Sequence, residues 1–148
     1  NDAPSSITRL QNMGTPDYLI SAAVSLILAQ RLARKTCPNC RVPDDDITPK
    51  ALADFGFTVE EASRAKVQKG SGCNECKDSG YKGRMGIYEI LSVSKPIKEA
   101  ILRQATTPEL KEIAMKEGFR TMQDMGRELI LTGDLNFREY DRVLSTEG

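Results

Sequence analysis

Four cysteines carry the chemistry that this sequence offers: Cys37 and Cys40 in "TCPNC", and Cys73 and Cys76 in "GCNEC". Each pair is spaced C-x2-C, and 32 residues separate the pairs. A C-x2-C turn can point two thiolates at one centre, and two such knuckles supply the four sulfurs of a tetrahedral zinc site. Pro38-Asn39 and Asn74-Glu75 are turn residues inside the knuckles, and Gly72 eases the backbone just before the second. With four thiolates bound, a zinc ion has no position left for water or substrate. Cys37, Cys40, Cys73 and Cys76 therefore read as ligands of a structural metal. Two other chemistries use such pairs. A dithiol redox centre places one C-x2-C at a thioredoxin-like helix start, and here there are two pairs and no such unit. Disulfides need an oxidising compartment, of which the sequence carries no sign.

The elements that must hold these cysteines come from a chain of 148 residues, enough for one ordinary domain or two small pieces sharing a core. Charged residues make up 28%, and Lys and Arg balance Asp and Glu, so there is no global pull toward nucleic acid or an anionic membrane. The absence of His excludes a histidine base or imidazole ligand within the chain. Around the second knuckle, Lys66, Lys69, Lys77, Lys82 and Arg84 accompany Tyr81, a weak form of the nucleic-acid pattern. Asp44, Asp45, Asp46, Glu60, Glu61, Glu75 and Asp78 share the same stretch, so a solvated mixed-charge surface is the plainer reading. A free-standing zinc module that binds nucleic acid is the alternative function.

Helix punctuation is clear along most of the chain. Gly14 ends a helix from about Pro4 to Met13. Thr15 and Pro16 look like an N-cap and first helical position, opening a helix to about Lys35. The uncharged run Tyr18 to Gln30 falls short of the roughly 20 apolar residues of a membrane span, so it reads as a buried core helix with no membrane insertion. Arg31, Arg34 and Lys35 would then sit at its C-terminal end, where cations suit the helix dipole. Thr48-Pro49 opens a helix closed by Gly56, and Thr58 with Glu61 forms a capping box for the next. "MGIYEIL" reads as a short strand with Met85, Ile87 and Leu91 on one face, broken by Glu89. Four capped helices follow, beginning at Ser94, Thr107-Pro108, Thr121 and Asn136. The expected fold is mainly α, with a tetracysteine zinc subdomain containing a short β element and a small C-terminal helical bundle. "NDAPSS" has neither an initiator Met nor a signal-peptide pattern, so a piece of a longer polypeptide is expected.

In order along the chain, "NDAPSSITRLQNMG", "AQRLARKTCPNC", "GCNECKDSGYKGRMGIYEIL" and "EGFRTM" resemble the C-terminal part of the secretion ATPases, the motors of type IV pilus assembly and type II secretion. The four cysteines followed by Gly-Tyr-x-Gly-Arg-x-Gly-Ile-Tyr-Glu are the most specific part. Pilus retraction motors generally lack the cysteines, so the assembly and secretion branch is favoured. The resemblance implies a cytoplasmic, hexameric P-loop ATPase, peripheral at the inner face of the inner membrane. It would drive an inner-membrane platform protein that adds pilin subunits. It also implies that Cys37, Cys40, Cys73 and Cys76 hold zinc. Asn1 and Asp2 match residues just after the family's histidine box, so the chain starts downstream of the catalytic machinery. ATP and Mg would belong to the parent motor core, since the chain has no G-x-x-x-x-G-K-[ST]. No catalytic residue is assigned. Three segments follow: residues 1–36, the helical end of a RecA-like motor core; 37–91, the zinc subdomain; and 92–148, a C-terminal helical subdomain. Arg31, in the family's Gln-Arg-Leu motif, and Arg84 are candidates for a subunit or nucleotide interface, with helix-end or packing roles as the plainer alternative for Arg31. "LNFREYDRV" departs from the family's Thr-Thr-x-Glu-Glu cap, though Asn136 keeps helix-start chemistry. "CNECKDSGYKGR" is distantly similar to the J-domain co-chaperone repeats, with the wrong Gly spacing and too few pairs.

Overall fold

The computed structural model describes residues 2–145; Asn1 lies outside them. Among the described residues, eight helices and four strands run in the order α1 (Ala3–Asn12), α2 (Asp17–Ala23), β1 (Leu26–Thr36), β2 (Arg41–Pro43), α3 (Pro49–Asp54), α4 (Val59–Arg64), β3 (Gln68–Gly70), β4 (Tyr81–Ser92), α5 (Lys95–Leu102), α6 (Thr107–Lys116), α7 (Met122–Thr132) and α8 (Phe137–Leu144). Most helix starts are where the cap chemistry puts them. Asp2, Thr48, Ser94 and Asn136 each accept a backbone N–H from the first turn of the helix they precede. Thr58 and Glu61 form the reciprocal capping box. The cap of α6 is Thr106, one residue earlier than expected, and α2 starts after Pro16 with no side-chain cap.

The main correction concerns residues 16–35. The expected single helix stops at Ala23, and Leu26–Thr36 is an 11-residue strand. Val24 is already extended, and the Ser25 carbonyl accepts the N–H of Val93 at 3.0 Å. β1 then pairs with β4 in a two-stranded sheet. That pairing outweighs helix propensity, which is a weak prior even for a Leu- and Ala-rich run. The run is not buried all round either: Leu26, Leu28 and Leu32 are each about half exposed. Arg31, Arg34 and Lys35 therefore lie on a strand, and the helix-dipole account of them does not apply.

The chain packs as two units, and both long strands are divided between them. Among the described residues, the first unit comprises 2–30 and 88–121, the second 31–87 and 122–145. This division cuts across the three consecutive segments expected from sequence, because α5 and α6 fall in the first unit and α7 and α8 in the second. In the first unit, Ile7 of α1, Ile20 of α2, Leu91 of β4, Ile97 and Ile101 of α5 and Leu110 of α6 form the core. Glu89 does not interrupt the buried face of β4. It is itself buried, and it accepts the Ala3 N–H at 2.7 Å, one of the donors that a helix start leaves without an intrahelical partner.

In the second unit, α7 and α8 pack through a glycine. A Cβ on Gly126 would lie 2.3 Å from Leu144 Cδ1 and 2.8 Å from Tyr140 Cε2, so a bare backbone is needed there. Phe55, at the end of α3, stands edge-on to Phe137 of α8 with ring centroids 4.5 Å apart, and edge-on to Tyr140 at 6.1 Å. β2 and β3 pair antiparallel with Arg41 opposite Gly70, Val42 opposite Lys69 and Pro43 opposite Gln68.

Candidate metal centre

The two knuckles are positioned by the ends of strands. Cys37 directly follows β1, and its N–H bonds the Gly80 carbonyl at 2.9 Å. Cys40 directly precedes β2, and its carbonyl accepts the Ser71 N–H and hydroxyl, both at 3.0 Å. The short β2–β3 ladder thus closes the 32-residue insert just inside the knuckles and brings Cys73 back toward Cys37. Gly70 and Gly80 pass so closely that a Cβ on Gly70 would lie 2.2 Å from the Gly80 oxygen. Gly70→Ala is expected to destabilise the second unit by roughly 2 kcal/mol or more through this overlap. Denaturant unfolding of the metal-loaded variant against the parent measures it.

All four Sγ atoms lie within 4.8 Å of one another. Cys37 to Cys73 is 3.8 Å, Cys40 to Cys76 is 3.8 Å and Cys73 to Cys76 is 3.6 Å. Sulfurs about 2.3 Å from a central zinc stand about 3.8 Å apart, the edge of the tetrahedron. A disulfide would hold its sulfurs near 2.05 Å, so the spacing is that of metal ligands and not of bridges. Cys37, Cys40 and Cys76 are buried and Cys73 is partly so.

Backbone N–H groups converge on the sulfurs. Gly72 donates to Cys40 Sγ at 3.3 Å, Cys73 to Cys76 Sγ at 3.3 Å and Gly80 to Cys76 Sγ at 3.2 Å. Burial pushes the Cys76 thiol up, but the Gly80 and Cys73 donors more than offset it and bring it down to about 6. Cys73 is lowered as well, first by Asn39 and then by the Cys76 N–H. Burial dominates at Cys40 and pushes it up. Donors aimed at sulfur stabilise the thiolate, the form that binds metal. The geometry therefore fits a four-thiolate centre closed to water and substrate.

The two arginines singled out in the sequence have different surroundings. Arg31 donates from Nη1 to the Val143 carbonyl at 2.6 Å, tying β1 to the end of α8. Arg84 lies exposed on β4, beside a cleft of about 450 Å³ that Leu32, Ala33, Arg34 and Arg142 complete. Of the lysines beside the second knuckle, Lys69 pairs with Asp44 and Asp46, and Lys82 with Glu75. The Tyr81 ring is covered by the Arg34 guanidinium, 4.0 Å from its centroid.

Glu139 is the functional-looking group that sequence reasoning treated only as part of a helix start. Its side chain is fully buried. Oε2 accepts the Arg34 N–H at 2.7 Å and Arg142 Nη2 at 2.7 Å; Oε1 accepts Arg34 Nη2 at 3.0 Å and Arg142 Nε at 2.7 Å. Its own N–H bonds Asn136, whose amide donates to the Tyr81 hydroxyl. Burial alone would raise the Glu139 carboxyl, yet the Arg142 and Arg34 donors hold it at about 2. Its partner on β1 is 105 residues away in sequence, and no local pattern links them.

A cluster of four cysteine sulfurs with the spacing of metal ligands thus lies between the ends of two long strands, in a chain of mixed α and β structure. The model of the type II/IV secretion system protein family matches residues 1–142, and the chain belongs to that family. It is 36% identical over 139 residues to the type IV pilus assembly ATPase PilB of Myxococcus xanthus, and 39% over 142 residues to the PilB of Thermus thermophilus. It is 34% identical over 143 residues to type II secretion system protein E of Klebsiella pneumoniae. These alignments cover 94%, 94% and 97% of this chain but only 25%, 16% and 28% of the respective relatives.

Proposed function

We propose that this chain is the non-catalytic C-terminal region of a hexameric P-loop ATPase that powers type IV pilus assembly or type II secretion. In this reading Cys37, Cys40, Cys73 and Cys76 hold one structural zinc that keeps the accessory unit in shape. The observation that carries the reading is the tetrahedral sulfur spacing in a chain whose relatives bear both names. Residues 1–36 would complete the motor core. In support, Leu26, Leu28, Tyr88 and Ile90 of the first unit are exposed on β1 and β4, apolar surface of the kind a larger core covers. The whole protein would be cytoplasmic and act on an inner-membrane platform protein. Among the described residues no helix is long and apolar enough to cross a membrane. Arg31 spends one donor on the Val143 carbonyl, and both it and Arg84 are exposed, so each stays a candidate for contact with a ligand or a neighbouring subunit.

Phosphoryl transfer needs a phosphate-cradling lysine, a hydroxyl on magnesium and a carboxylate to position it, and the chain contains no phosphate-binding loop. The isolated chain is expected to show no ATP turnover with or without zinc, in a phosphate-release assay. Zinc-dependent turnover by the isolated chain would overturn the assignment of a non-catalytic role.

A further inference from the structure

We propose that the cleft bounded by Arg34, Arg84 and Arg142 binds a phosphate dianion or a phosphomonoester. It is lined by these three arginines with Leu32 and Ala33, and among the described residues no acidic side chain lines it. Among the described residues the only carboxylate bonded to these arginines is Glu139, fully buried beneath them, so three guanidinium charges face one carboxylate. The surplus of two positive charges matches a phosphate group, which carries about −1.5 to −2 near neutral pH; a single carboxylate would leave the cleft cationic.

The cleft is built rather than incidental. Glu139 holds Arg142 by a two-pronged pair of bonds, both 2.7 Å, so one edge of that guanidinium is fixed and the other is free. Arg34 spends Nε and Nη2 on the same carboxylate and is stacked on Tyr81, which leaves Nη1 unspent. Glu139 Oε1 and Oε2 are both occupied and have no capacity left for Arg84. Arg84 forms no ion pair among the described residues. Guanidinium groups pre-set in orientation lose little freedom on taking a tetrahedral oxyanion, and their fork geometry suits phosphate. This assignment is independent of the motor reading above.

The test is calorimetric titration of the purified 148-residue chain with inorganic phosphate, beside Arg84→Gln, Arg84→Lys and the control Lys50→Gln. Saturable binding is expected, weakened about tenfold or more by Arg84→Gln, less by Arg84→Lys, and unchanged by Lys50→Gln. Vesicles of phosphatidic acid and of phosphatidylcholine separate the sources. Arg84-dependent binding to the first alone points to a lipid headgroup, and binding of phosphate without vesicles points to a soluble phosphate; either supports the site. Should a variant misfold, the Arg Nε–H resonances of the parent serve instead: phosphate is expected to shift those of Arg34, Arg84 and Arg142. The proposal is overturned by the absence of saturable binding to both inorganic phosphate and phosphatidic acid vesicles, by equal affinity in Arg84→Gln, by shifts spread over unrelated arginines, or by Arg84-dependent self-association without binding of either, which would mean that a second copy's carboxylates fill the cleft.

Discussion

A chain carrying Cys73→Ser is expected to lose its single zinc and, with it, the fold of residues 31–87. Metal analysis should find one zinc per chain in the parent and close to none in the variant. Amide exchange should show protection collapsing across both knuckles and the insert. The expected size follows from two magnitudes. Binding to a structural four-thiolate site contributes about 10 kcal/mol or more near neutral pH, whereas a domain's whole stability is roughly 5–15 kcal/mol. The insert between the knuckles has few alternatives to replace that contribution, because β2 and β3 have three residues each and α3 and α4 six each. Isolated elements of that length are not stable in water. The sign with pH is also set. The ligands must be deprotonated, so zinc affinity falls as pH is lowered. A folded, metal-free chain under reducing conditions would refute the staple.

The second large effect is expected at Glu139. Removing a buried ionic partner typically costs about 3–5 kcal/mol, because the charges left behind have been desolvated for nothing. The arginines here are each about half exposed, so Glu139→Gln should fall near the lower end, about 3 kcal/mol, by urea unfolding at pH 7. The pH dependence distinguishes charge from shape. The folded carboxyl sits at about 2 against an ordinary value of 4.5, so the unfolded chain takes up the proton first. Its contribution, about 2 kcal/mol once screening at the exposed guanidinium groups is allowed for, is fully present above pH ~4.5 and is lost as pH falls toward ~2. The gap between parent and Glu139→Gln should hold steady from neutral pH down to about 5 and narrow below it. A gap that does not change with pH would show that packing, not charge, explains the loss.

What could be read from sequence follows the range of the interactions concerned. Helix starts at Thr48, Thr58, Ser94 and Asn136 were legible because a cap and its target N–H are three residues apart. The four cysteines were legible for the same reason, as paired short spacings. β1 was not. No Gly or Pro separates Pro16 from Thr36, and Leu and Ala occupy both faces, so the alternation of a strand is masked. What makes it a strand is pairing with β4, which the chain reaches only after both cysteine knuckles. The three-residue strands β2 and β3 are too short to display a period at all. Glu139 looked like a routine first-turn acid because its position is local, while one of its two arginine partners, Arg34, is on β1. The separation of α5 and α6 from α7 and α8 has the same origin: each helix is amphipathic, and amphipathicity does not say which core is faced.

The β2–β3 ladder and the sulfur cluster have one further consequence, for what the chain can tolerate. They tie the two ends of the insert together, so the connection between α3 and α4 is closed off before its own length matters. Closing a flexible loop costs only about 0.6 kcal/mol more for each doubling of its length. Extra residues between Phe55 and Thr58 would therefore add little to the closure cost of a loop already clamped at its base. What limits that connection is its own packing, since Phe57 is buried and Phe55 stands against Phe137 and Tyr140, so the sulfur centre sets where the insert begins and ends while the aromatic contacts hold its far end.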